Sequence, residues 1–263
     1  MSLFSLEGRV ALVTGAGRGI GRGIAEKFGA NGAKVVCAAR TRSQLDDAVA
    51  IIESGGSEAL AVEIDVSDLE SINAGVQTAI DQFGQIDVLV NNAGMNVREP
   101  MMEATEEHYD QIMAVNLKGL YFLSQAVAKR MISRQQGKII NIGSLTTSTT
   151  LNQGSVYTAT KGAVGQLTKA QALELGQYNI QANAICPGFV VTPLTEKIWS
   201  DSTMRNWGEG NIPLGRLATP EDMVGTAVFL AAPASDYVTG QIIYVDGGFM
   251  AGNFWPLPSA TSK

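Results

Sequence analysis

The stretch "TGAGRGIG" (residues 14–21) follows the apolar run "RVALV" and opens a segment with helical spacing. Glycine recurs at every second position: Gly15, Gly17, Gly19 and Gly21. The general dinucleotide fingerprint G-x-G-x-x-G, counted from Gly15, puts its sixth position on Ile20, so this loop does not match it. A glycine-rich turn between a strand and a helix still permits positive φ. It also lets the backbone approach a pyrophosphate, whose charge meets the free amides of the helix N-terminus. A purely structural turn would use the same residues, so the rest of the chain decides.

Outward from that loop, short β-branched runs alternate with helix-period stretches. The strand candidates are "RVALVTG" (9–15), "AKVVCAAR" (33–40), "ALAVEIDV" (59–66), "IDVLVNNAG" (86–94), "GKIINIGS" (137–144), "IQANAICPG" (180–188) and "QIIYVDGG" (241–248). Apolar runs without clean alternation suit parallel strands buried on both faces. Between them, "SQLDDAVAIIESGG" (43–56) predicts a helix opened by a Ser cap and ended at glycine. "TPEDMVGTAVFLAA" (219–232) predicts one with Thr219 as cap and Pro220 in the first turn. Repeated β-α-β predicts an α/β, single-domain, doubly wound Rossmann fold: a mostly parallel seven-stranded sheet with helices on both faces. The domain spans 1–250, with a substrate cover at about 192–212 and a tail at 251–263.

The formal net charge of −6 supplies no basic field for nucleic acid or anionic lipid. No apolar run reaches the roughly 18 residues of a membrane span, and "MSLFSLEGR" lacks a signal pattern, so a cytoplasmic protein is expected. Cys37 and Cys186 read as buried, reduced thiols. No metal cluster is expected. His108, in the acidic helix start "EATEEHYD", reads as exposed or partly packed rather than catalytic.

Thr14, Gly15, Gly19 and Gly21 in T-G-x-x-x-G-x-G, "NNAG" at 91–94, Asn116, Ser144, and Tyr157 with Lys161 in Y-x-x-x-K resemble, in this order, the short-chain dehydrogenase/reductase family. "PGFVVT" (187–192) and "YVDGG" (244–248) extend the likeness from about residue 6 to 250. In that family the looser glycine spacing is the dinucleotide loop. The resemblance implies a cofactor site formed by Gly15, Arg18, Gly19, Ile20, Gly21, Arg40, Asp65, Val66, Asn92, Ala93, Gly94, Tyr157, Lys161, Pro187, Gly188, Val190 and Thr192. Asp65 and Val66 would lie against the adenine, Asn91 would line the cleft and Thr192 would meet the carboxamide. The second strand ends "CAARTR", with Ala39 where a carboxylate would hold an NAD ribose and Arg40 next to it. Arg18 and Arg40 together favour the 2′-phosphate of NADP, with NAD as the alternative.

Tyr157 and Lys161 stand one helical turn apart and share a face. A phenol beside an ammonium suits general acid/base work, and Ser144 suits orientation of a substrate oxygen. The resemblance implies that the Asn116 backbone holds a water relayed to Lys161, and that Lys161 also binds the nicotinamide ribose. "GKIINIGSL" and "ASDYVTGQIIYVDGG" resemble the sugar-acid branch, the gluconate 5-dehydrogenases and 2-dehydro-3-deoxy-gluconate dehydrogenases. In "NNAGMNVREPM", Arg98 is placed to clamp a substrate carboxylate, while Val97 stands where a second arginine is expected. Trp199, Met204 and Trp207 either exclude water from the substrate or serve as helix packing. A homotetramer is implied, with the tail docking on a neighbouring subunit. Two alternatives share these motifs in whole or part: a 3-oxoacyl-carrier-protein reductase, and a non-catalytic dinucleotide-binding regulator.

Overall fold

A computed structural model describes residues 2–252. The strands are β1 (Val10–Thr14), β2 (Lys34–Ala39), β3 (Ala59–Glu63), β4 (Val88–Asn91), β5 (Gly137–Ile142), β6 (Ile180–Pro187) and β7 (Ile242–Val245). They form one sheet in the order β3-β2-β1-β4-β5-β6-β7. Every pairing is parallel, as double-sided burial requires. The helices are α1 (Gly19–Ala30), α2 (Arg42–Ser54), α3 (Leu69–Phe83), α4 (Glu106–Met113), α5 (Leu120–Arg134), α6 (Ser155–Leu175), α7 (Glu196–Trp199), α8 (Ser202–Asn211) and α9 (Glu221–Ala231).

The period of the strands sorts the core into two layers. Ala11, Val13, Val35 and Cys37 face α1, α2 and α9, where Ile24, Phe28, Leu45, Val224 and Val228 cover them. Their neighbours Val10, Leu12 and Val36 face the other way, against Ile72 and Val76 of α3 and Leu123 and Val127 of α5. Both cysteines are buried and free, as expected. The expected strands overrun at their carboxyl ends: β3 stops at Glu63 and β4 at Asn91. The residues beyond, Asp65 and Val66 or Asn92 to Gly94, leave the ladder to line a crevice.

Two helix starts also differ from expectation. Thr41, not Ser43, is the cap residue of α2, and its hydroxyl makes no cap bond; the end at Gly55 is as expected. At α9 the Thr219 hydroxyl is not the main cap. Asp222 reaches back to accept from the Thr219 N–H at 2.8 Å while holding the Arg216 guanidinium at 2.7 and 2.8 Å. That pairing, chiefly the Arg216 hydrogen bond, holds the Asp222 carboxyl down at about 2.

From β1 the chain winds outward to β2 and β3, then returns past β1 to start β4 on the other side, so the crossovers part between β1 and β4. One buried hydroxyl joins the two strands at that parting. Thr14 Oγ1 donates to the Val90 carbonyl at 3.1 Å and accepts from the N–H groups of Asn92 at 2.9 Å and Ala93 at 3.1 Å. The Asn92 side chain closes the joint by donating to the Thr14 carbonyl at 2.8 Å. Thr14→Val keeps the shape and strips these partners, so urea unfolding should show a loss of about 2–4 kcal/mol. Thr14→Ser should stay within about 1 kcal/mol of the parent; equal losses in both variants would mean that packing, not the hydroxyl, holds the joint.

Candidate active site

The crevice at the carboxyl ends of the strands is walled first by the glycine loop. Gly15 and Gly19 have φ of +64° and +58°, the left-handed region that glycine enters without penalty. A side chain on Gly15 would meet the Asn92 amide at 2.6 Å. Arg18 occupies the cap position of α1 without a side-chain cap bond, and the first turn carries no acid, so its amides stay open to an anion. Gly21 differs from expectation. It does not line the crevice; a Cβ there would sit 2.4 Å from the Gly15 carbonyl, so it is the packing contact that lets α1 close on the loop.

Ile20, Arg40, Asp65, Val66, Asn92, Ala93, Gly94, Pro187, Gly188, Val190 and Thr192 all line the same crevice with Ser144, Tyr157 and Lys161. Asp65 is fixed by Ser67, whose N–H and hydroxyl donate to one carboxylate oxygen at 2.9 and 2.6 Å. Asn91 does not face the crevice as expected. It is the last residue of β4 and points beneath the sheet, donating to Ser124 of α5 and to Asn141, each at 2.9 Å. Thr41 and Gln44 also line the wall, where α2 begins beside Arg40. Sequence reading missed both; the signal was an α2 start two residues earlier than the Ser pattern suggested.

Tyr157 and Lys161 project from the first turns of α6. Lys161 is buried, and its Nζ donates to the Ile142 carbonyl at 2.7 Å, 5.7 Å from the centre of the Tyr157 ring. Burial lowers its ammonium to about 8. Burial also raises the Tyr157 phenol, contrary to the lowering expected from a neighbouring ammonium; the Ser144 hydroxyl and the Arg98 guanidinium, rather than Lys161, oppose the rise. Ser144 lies two residues past β5, at the cap of a short turn, and is itself oriented: its hydroxyl accepts from the Thr146 N–H at 3.1 Å, while Thr147 Oγ1 accepts from the Ser144 N–H at 3.2 Å.

Asn116 is buried behind the wall, not on it. Between α4 and α5 the helix widens into a π-turn, Ala114–Gly119, and Asn116 lies inside it. Its amide grips the Met95 backbone in both senses, accepting from N–H at 2.8 Å and donating to C=O at 2.9 Å. Gly119 of the same turn leaves room for the Val66 carbonyl, which lies 2.2 Å from where a Cβ would stand. Such π-turns are frequent at functional sites.

Pro193, Leu194 and Thr195 line the crevice, and α7 and α8 follow them. Trp199 is buried against Phe189 at 5.2 Å, so it is packing; Trp207 (Phe189 at 5.6 Å) and Met204 are partly exposed. Arg98 does not line the crevice: three residues past Met95, which does, it is exposed and has no ion-pair partner among the described residues. His108 is partly exposed and engaged with Glu99, away from the phenol. The tail from residue 253 lies outside the described residues.

A family model described as enoyl-(acyl carrier protein) reductase matches residues 15–250. The chain belongs to the short-chain dehydrogenase/reductase family. Gluconate 5-dehydrogenase of Gluconobacter oxydans (strain 621H) is 41% identical over 246 residues, covering 94% of this chain and 96% of that protein. L-xylulose reductase of Bos taurus is 42% identical over 247 residues, covering 94% and 98%. The crystal structure of a gluconate 5-dehydrogenase from Burkholderia cenocepacia J2315, in complex with NADP and tartrate, matches with a TM-score of 0.92 at 37% identity, covering 95% of this chain and 98% of that one. Membership in the short-chain dehydrogenase/reductase family accounts for the spacing of the glycine loop.

The lowered Lys161 makes a measurable statement about stability. Below pH 8 both folded and unfolded chains hold the proton, and the burial cost is fully present. Between about 8 and 10.5 the folded chain releases it first, so stability rises with pH. Lys161→Met should therefore exceed the parent in unfolding free energy at pH 7, by up to about 3 kcal/mol, and lose that advantage toward pH 10. A difference that stays constant across this range would show that burial does not depress the ammonium.

Proposed function

We propose that this protein is an NADP(H)-dependent oxidoreductase that interconverts a carbonyl and a secondary alcohol on a sugar-derived keto or hydroxy acid. The observation that carries the substrate class is Arg98: it is exposed, lies three residues past the crevice-lining Met95, and has no carboxylate partner among the described residues. An anionic substrate held by Arg98 would bring its carbonyl toward Tyr157 and Ser144. When bound, the nicotinamide supplies or takes up the hydride. Tyr157 gives its phenolic proton to the carbonyl oxygen in reduction and recovers it in oxidation, while the Ser144 hydroxyl orients that oxygen. Lys161, anchored on Ile142, holds the ribose, and Asn116 keeps the Met95 turn in place behind it.

NADP suits the residues at the adenosine end. Arg18 and Arg40 are exposed there, Ala39 offers no carboxylate, and α2 begins uncapped beside them. The segment 192–212 serves as the substrate cover on a unit spanning 1–250. The buried free thiols suit a reducing, cytoplasmic setting. No described helix is long and apolar enough to cross a membrane. A homotetramer fits the exposed Leu173 and Tyr121 on α6 and α5 and the half-buried apolar edge strand β7.

The test is absorbance of NADPH and NADH against 5-keto-D-gluconate, L-xylulose, an acetoacetyl thioester and a neutral diketone. Turnover of the keto acid with NADPH is expected, and turnover of only neutral ketones would sink the Arg98 reading. Tyr157→Phe should lower kcat by at least about a thousandfold with NADPH binding intact. Arg40→Ala should raise KM for NADPH by about tenfold or more and leave NADH unaffected; equal change for both would remove Arg40 from the 2′-phosphate.

A further inference from the structure

The segment from Asn92 to Pro100, which carries Arg98, has neither helix nor strand, so its course depends on ties to its surroundings. Asn92 is tied to Thr14, and Met95 is gripped by Asn116. The third tie is at Glu99, beside Arg98. Its N–H donates to the Gln153 carbonyl at 3.2 Å, joining the segment to the turn that precedes α6 and Tyr157. Its carboxylate Oε2 meets His108 Nδ1 at 2.8 Å, joining it to α4. His108 is held in turn, because its own N–H is capped by Thr105 Oγ1 at 3.2 Å.

The tie is costly. The other carboxylate oxygen, Oε1, is buried and has no hydrogen-bond partner among the described residues. An unsatisfied carboxylate oxygen so near an active site needs a reason, since stability alone would have replaced it. Glu99 also stays off the adjacent guanidinium, and Arg98 has no counter-ion among the described residues.

We infer that Glu99 and His108 form a positioning clamp that holds Arg98 for a substrate carboxylate, and so set affinity for acids without touching the reacting atoms. The clamp rests on the reading of Arg98 given above. The Nδ1–H faces Glu99 in the imidazolium and in the Nδ1–H tautomer alike, so the clamp needs no change of protonation.

The experiment compares Arg98→Met, His108→Leu, Glu99→Ala, His108→Asn and the Arg98→Met/His108→Leu double variant, each with NADPH against 5-keto-D-gluconate and 2,3-butanedione. His108→Leu and Glu99→Ala should each raise KM for the keto acid about tenfold, with kcat, KM for the dione and NADPH affinity within twofold. His108→Asn puts an amide N–H in the place of Nδ1 and should recover most of the loss. On the Arg98→Met background His108→Leu should add nothing. The clamp is overturned by an unchanged acid KM in His108→Leu, by an equal rise for the dione, or by a full additional factor in the double variant. If Arg98→Met itself leaves the acid KM unchanged, the Arg98 reading fails and the clamp with it. If Arg98→Met is impaired and His108→Leu is not, the clamp alone fails.

Discussion

A single buried hydroxyl, that of Thr14, holds β1 to the turn after β4 at the place where the crossovers part. Every wall of the crevice refers back to that joint. The glycine loop leaves from Thr14, and Asn92 to Gly94 are set by its hydrogen bonds and by the Asn92 amide. Gly94 lies close to both Asn116 and Lys161. The wall beside the reacting groups is therefore set by a sheet joint, through hydrogen bonds to Asn92 and Ala93 and then the close approach of Gly94 to Asn116 and Lys161. Buried polar links of this kind tolerate little play, because each unmade bond costs more than a made one contributes.

The ionisable groups carry the opposite signature. Burial raises the Tyr157 phenol and lowers the Lys161 ammonium, so each is pushed toward its neutral form. A neutral phenol is a proton donor, the form from which general acid work at Tyr157 starts. The Ser144 hydroxyl and then the Arg98 guanidinium oppose the rise of the phenol.

Much of this was legible in the sequence because it is local or periodic. The parallel sheet followed from apolar runs, and Tyr157 with Lys161 from helical spacing. Where reading failed, a local signal was ambiguous. Asn91 and Asn92 are neighbours of the same type, yet strand alternation sends Asn91 to Ser124 and Asn92 to the crevice. Arg18 and Arg40 were visible as charges, whereas Thr41 and Gln44 depended on where α2 begins. Gly21 was expected in the cofactor site but stands off the crevice, in a packing contact that only the approach of the Gly15 carbonyl reveals. The link between Glu99 and His108 has no periodic signature, since it crosses a loop and a helix start.

The π-turn at Ala114–Gly119 has a consequence for how this chain can vary. A π-turn accommodates one residue more than an α-helix needs, so it acts as a phase shift of about 100° between the faces of α4 and α5. Because the extra residue is taken up inside the turn, the side chains of α5 keep their faces although the sequence period slips by one: Ser124 still meets Asn91, and Leu123 and Val127 still face the sheet. The slip is spent locally, on the stretch where Asn116 grips Met95 and Gly119 makes room for the Val66 carbonyl. A length change is thus absorbed in this turn without disturbing the sheet, as it is at the exposed turn around Gly55 and Gly56.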